Sequence, residues 1–107
     1  MKKTYNKLIR DKIPEIILNS GKKPTVKVLN KKQFKEELKN KLVEEAKELS
    51  CASGKKEIVN ELADISELVE WICREYKIEK RDLLKCKKDK NLKRGSFKDK
   101  LFLIKTE

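Results

Sequence analysis

The sequence predicts a mainly α protein: an antiparallel helical bundle with a small two-stranded β appendage from residues near 25–30 and 100–105. Three observations lead there. Apolar residues recur at three- and four-residue spacing over residues 31 to 50 and again from Ile58 to Ile72, the period of one helical face. Only the short stretch Ser50-Cys51-Ala52-Ser53-Gly54 separates the two runs, which makes the helices antiparallel neighbours. The β-like patterns are brief and lie outside both runs.

In chain order, the first element is a helix after Tyr5-Asn6-Lys7-Leu8-Ile9-Arg10-Asp11-Lys12-Ile13-Pro14, with Asp11 as its cap, Pro14 in its first turn and Gly21 at its end. Thr25-Val26-Lys27-Val28-Leu29 alternates and is β-branched, so it reads as a short strand. Its expected partner is Lys100-Leu101-Phe102-Leu103-Ile104-Lys105, which would tie the two ends of the chain together. The next helix carries Phe34, Leu38, Leu42, Ala46 and Leu49 on one face. The one after it carries Ile58, Leu62, Ile65, Val69 and Ile72 and runs to Tyr76. Lys80 to Cys86 reads as a shorter helix, and Lys87 to Ser96 as a basic loop closed by a Gly-Ser turn. No repeat or linker divides the 107 residues, so one domain spanning 1–107 is expected.

Composition narrows the functional classes. With 37% apolar against 44% charged residues, the core must come from narrow helical stripes, which favours association with further copies of the chain. The net charge of +11 attracts phosphate-bearing partners, but its lysines are spread along the chain rather than massed as in a nucleic-acid-binding tail. Cys51, Cys73 and Cys86 are odd in number and lack a C-x-x-C pair, and there is no histidine, which argues against zinc and for free thiols in a reducing compartment. No apolar run is long enough to cross a bilayer, and polar residues interrupt the start of the chain, so neither a membrane partner nor a secretory leader is expected. The expected address is the cytoplasm.

The informative chemistry is a pair of acidic motifs, one on each long helix: Glu44-Glu45-x-x-Glu48 and, after twelve residues, Glu61-x-x-Asp64. Three-residue spacing puts Glu45 beside Glu48 on one helix face and Glu61 beside Asp64 on the other. Glu45 borders the Leu38, Leu42 and Leu49 stripe, while Glu61 borders Ile58, Ile65 and Ile72. Four carboxylates gathered between two helices repel each other and lose hydration, so they must take up protons or hold a cation. Oxygen ligands alone select a hard ion, and Mg²⁺, with Mn²⁺ as its substitute, brings phosphate chemistry with it. The other reading of the same acids is a solvated helix surface pairing with Lys41 and Lys47.

This pair of motifs resembles the EExxE…ExxD signature of the MazG-like all-α nucleoside triphosphate pyrophosphohydrolases. The opening Tyr5 to Pro14 and the late Lys93-Arg94-Gly95-Ser96-Phe97 resemble the ends of its small stand-alone branch, labelled phosphoribosyl-ATP pyrophosphohydrolase-like. The resemblance spans nearly the whole chain. It implies a helical bundle, assembled as a homodimer or tetramer, that cleaves a nucleoside triphosphate to monophosphate and pyrophosphate. It also implies that Glu45, Glu48, Glu61 and Asp64 hold Mg²⁺ and that Glu44 orients or deprotonates the attacking water. The cations favoured for the substrate phosphates are Lys7, Arg10 and Lys12 near the start and Lys90, Lys93 and Arg94 near the end, with the two arginines preferred for their bidentate fork. Trp71 reads as core or interface, with base stacking the lesser alternative, and Asn60 and Asn91 are amides free to read a base edge. A competing function of another class is a non-catalytic basic module that binds nucleic acid or nucleotide.

Overall fold

The computed structural model describes residues 2–107 and contains four helices: α1 (Ile13–Asn19), α2 (Lys31–Cys51), α3 (Lys55–Glu75) and α4 (Lys80–Arg94). The chain forms two compact units, one ending at Tyr76 and the other running from Lys77 to Glu107.

The first unit is organised by α2 and α3, each of 21 residues and therefore about 31 Å long. A reciprocal capping box starts α2. The Asn30 side chain accepts a hydrogen bond from the Gln33 amide at 2.8 Å, and the Gln33 side chain accepts one from the Asn30 amide at 3.3 Å. After α2, the chain turns through Ala52, Ser53 and Gly54, where Gly54 adopts φ 80°, a left-handed conformation that costs glycine little. The Ser53 amide then donates to the Glu57 carboxylate at 2.9 Å. Contacts between the helices pair Lys39 with Tyr76, Phe34 with Trp71, and Glu45 with Asp64 and Glu61. Partners early in α2 lie late in α3, so the two helices are antiparallel, as their short connection predicts.

The apolar contact between them is narrow. Leu38 and Leu68 are its buried apolar residues, at 2% and 9% exposure, and Phe34 packs edge to face on Trp71 with ring centroids 6.2 Å apart. On α3 the predicted stripe is covered over its second half, where Ile65, Val69 and Ile72 are half-buried. Ile58 and Leu62 lie exposed, and Leu68 takes the central position. Glu61 and Asp64, on the flank of α3 that carries Leu68, are half-buried.

Before α2, the short α1 half-buries Ile13, Pro14 and Ile17. Its cap position is Lys12 rather than Asp11, because the chain already turns at Arg10, whose carbonyl accepts from the Ile13 amide at 3.1 Å. Gly21, at φ 88°, follows its end as expected.

The predicted β appendage is absent: among the described residues there is no strand. Thr25 to Leu29 and Lys100 to Lys105 carry strand-like side chains, but Val28 is 98% exposed and Leu101 91%. A two-stranded ribbon is marginal in water, and propensity alone does not satisfy its backbone groups.

In the second unit, the segment read as a basic loop from Lys87 is helical to Arg94. Lys, Leu and Arg are good helix formers, and no Gly or Pro intervenes before Gly95, which adopts φ 78° and ends the helix. No residue of α4 is buried, and Leu92, Phe97 and Leu101 to Ile104 lie in the open. Among the described residues, no helix is long and apolar enough to cross a membrane.

Candidate metal centre

The helical register that forms the α2–α3 contact also brings the acidic motifs together. Glu45 lies one helical turn after Lys41 and Leu42 and one turn before Leu49, on the line of residues facing α3, and is itself buried, with 6% exposure. From α3, Glu61 and Asp64 face it, both half-buried. One carboxylate oxygen from each of Glu45, Glu61 and Asp64 lies within 4.8 Å of the other two, and Glu44, Glu45 and Glu48 form a second such group on α2. The two groups share Glu45. All five acids singled out in the sequence therefore belong to one cluster, of which Glu48 is the exposed member.

Two oxygens in this cluster, Glu45 Oε2 and Glu61 Oε2, are buried without a hydrogen-bond partner. A buried carboxylate oxygen left unpaired is costly, so each calls for a hydrogen-bond donor or a positive charge. Glu45 shows that demand most plainly. Its carboxyl is pushed up to about 7, first by loss of hydration, then by the close approach of the Glu61 and Glu48 carboxyl groups, and then by the charges of Glu48 and Asp64.

Cations of the chain meet the cluster from two directions. From within α2, Lys41 Nζ lies 3.1 Å from Glu44 and 3.7 Å from Glu45. From the segment before α1, Arg10 Nη2 donates to Asp64 Oδ1 at 2.6 Å, and Lys7 Nζ donates to Glu44 Oε1 at 3.4 Å. For Glu44, burial is the largest single influence and pulls its carboxyl upward. The hydrogen bond and charge of Lys41, followed by those of Lys7, together outweigh it and leave the group below its ordinary value. Adjacent residues are thus driven in opposite directions, Glu44 toward the carboxylate and Glu45 toward the acid. The Arg10 guanidinium is held above its ordinary value, chiefly by its hydrogen bond to Asp64.

Of the cations singled out in the sequence, Arg10 and Lys7 reach the cluster. Lys12 sits exposed at the start of α1 and forms no ion pair among the described residues. Lys90, Lys93 and Arg94 belong to the second unit, where with Asp82, Lys85 and Asp89 they line a shallow recess along α4. Lys41 was read only as a surface partner of the acids, yet its side chain retains just 18% of its exposure. Its position three residues before Glu44 and four before Glu45 was the available signal.

A cavity of about 670 Å³ opens where α2 meets α3, lined by Glu48, Cys51, Lys56, Asn60 and Glu61 among others. It adjoins the cluster through Glu48 and Glu61. Asn60 lies within it and donates weakly to Glu61 Oε1 at 3.5 Å. Trp71 lies elsewhere, donating to Glu67 Oε2 at 2.9 Å and stacked against Arg74. Its side chain is committed to packing. Cys51, Cys73 and Cys86 are free thiols.

The donor set suits a hard divalent cation. Oxygens around an octahedral ion with bonds of about 2.1 Å are roughly 3 to 4 Å apart, so the carboxylates need only small rotations to share one. Comparison with protein-family models, curated proteins and solved structures finds no match for this chain.

Proposed function

We propose that this chain is a MazG-like nucleoside triphosphate pyrophosphohydrolase that works with Mg²⁺, or Mn²⁺ in its place, held by Glu45, Glu48, Glu61 and Asp64. The observation that carries the reading is that two oxygens, Glu45 Oε2 on α2 and Glu61 Oε2 on α3, are buried without a partner in carboxylates that belong to one close group. A solvated acidic helix surface keeps its oxygens in water, whereas a cation offsets the cost of burying them. Oxygen-only ligands favour Mg²⁺ over softer metals, and Mg²⁺ characteristically shares its shell with phosphate.

When bound, the ion polarises the phosphate and offsets negative charge developing in the transition state. The chain's own groups supply the rest. Glu44, kept ionised by Lys41 and Lys7, orients a water and takes its proton as the water attacks the α-phosphorus. The bond to the β-phosphate breaks, giving monophosphate and pyrophosphate. Arg10 and Lys7, which reach the cluster, are the cations we assign to phosphate oxygens. The cavity beside Glu48 and Glu61 offers room for the nucleoside, with Asn60 as its hydrogen-bonding amide.

The narrow apolar contact of α2 and α3, together with exposed Val43, Val59 and Leu62, supports assembly as a homodimer or tetramer that completes the helical bundle. The test is pyrophosphate release from a panel of canonical and modified nucleoside triphosphates with Mg²⁺. Turnover abolished by EDTA is the expected result. No turnover across the panel, with salt-sensitive nucleic-acid binding instead, would overturn the reading in favour of a basic binding module.

A further inference from the structure

We infer that Arg10 and Lys7 couple two ligands at the carboxylate cluster: a divalent cation displaces them from Asp64 and Glu44, and the freed side chains bind a polyphosphate. The inference rests on the cation site of the proposed function but not on hydrolysis.

Arg10 reaches 54 positions along the chain to place its guanidinium 2.6 Å from Asp64, an acid that also lies in the group of three with Glu45 and Glu61. Lys7 approaches Glu44 at 3.4 Å. Both cations come from the segment before α1, and both contacts are on the open side of the cluster, where Arg10 and Lys7 retain 60% and 40% of their side-chain exposure. They are attached but not enclosed. Lys41 is different: it lies on α2, largely covered, and bridges Glu44 and Glu45.

A cation entering among Glu45, Glu61 and Asp64 neutralises the charge that holds Arg10 and repels the guanidinium itself. Asp64 then has the ion as its partner, and Glu44 retains Lys41 when Lys7 leaves. The exchange strands no acid. It does leave a guanidinium fork and an ammonium free beside a hard cation, a combination that matches the oxygens of linked phosphates. Each ligand therefore raises the affinity for the other by the same factor, and couplings of this kind amount to about tenfold or more. In the absence of both ligands, the segment before α1 stays pinned across the open side of the cluster by its own cations.

The experiment is titration calorimetry on the full chain with three probes: Mn²⁺ alone, inorganic tripolyphosphate alone, and the preformed Mn²⁺–tripolyphosphate chelate. The wild type is expected to bind the chelate at least about tenfold more tightly than either component. In Arg10→Gln, Mn²⁺ alone should bind several-fold more tightly because its competitor is gone, while the preference for the chelate should fall about tenfold. Lys7→Gln should move both quantities in the same directions by less. Weaker binding of Mn²⁺ alone in Arg10→Gln, or an undiminished preference for the chelate, would overturn the inference. Equal preference for a Mn²⁺–citrate chelate would overturn the assignment to polyphosphate. A wild type that hydrolyses no nucleotide but loses its chelate preference in Arg10→Gln removes the enzymatic reading and leaves the coupling standing, and the reverse pattern does the opposite.

Discussion

Glu45 is the residue on which burial and charge converge, and it is the centre of the proposed cation site. Its carboxyl is pushed up to about 7 from an ordinary value of 4.5. Well below pH 4.5 the folded and unfolded chains both hold the proton, and burial of this group carries no charge penalty. Between 4.5 and about 7 the unfolded chain loses the proton while the folded chain keeps it, so metal-free stability falls across that window and levels off above it. The effect is on the order of a few kcal/mol. Thermal melts in EDTA should therefore show the wild type losing stability from pH 5 to pH 8 relative to Glu45→Gln, which carries no titrating group there. If the two proteins shift in parallel, Glu45 does not carry the strain. The same reasoning predicts that Mn²⁺ binds more tightly as pH rises through about 7, because the ion must displace the proton. Under the proposed function, Glu48→Gln and Asp64→Asn should each lower turnover by more than about 100-fold, since loss of a ligand exceeds the usual cost of disturbing its support. Activity retained in both would separate the cluster from the chemistry.

At the scale of elements, α2 and α3 hold each other through a short apolar line and are sensitive to any gap in it. Leu38→Ala should cost about 2 to 4 kcal/mol in urea denaturation, because Leu38 is the most completely buried side chain and its removal leaves a void. Asn30→Ala should cost about 1 kcal/mol through loss of the capping box. An unchanged midpoint in Leu38→Ala would mean that the two helices do not share a packed core. The long helices were legible because their apolar period persists over several turns. The capping box was written as Asn30-x-x-Gln33 and went unread. Leu68 lay outside the predicted stripe because Ile58 and Leu62 fit the same period one flank over, and a helical wheel does not say which flank a neighbour covers. The β appendage failed for a related reason. Val26, Val28 and Leu101 to Ile104 suit a strand, but a strand exists only when another backbone supplies its hydrogen bonds.

At the scale of the whole molecule, the chain carries a net charge of +11, and Leu38 and Leu68 are the buried apolar side chains among the described residues. The core is thin, and Val59 and Leu62 are exposed on α3, where the proposed assembly would cover them. Sedimentation should find a dimer or tetramer, and Leu62→Glu should shift it toward monomer. A monomeric wild type would end the proposal of an assembled bundle.

The sequence by itself determined the mainly helical class, the two long helices, their antiparallel connection and the five acids that meet between them. These follow from periodicities of 3.6 residues and spacings of three, which a chain carries locally. The tertiary structure decided what local pattern does not contain. It set which flank of α3 faces α2, so that Leu68 rather than Leu62 is covered, and it buried Glu45 deeply enough to hold a proton near neutrality. It also brought Arg10 across 54 positions to Asp64 and enclosed Lys41 among the acids. Each depends on distances between segments remote in the chain, and those are set by packing rather than by propensity.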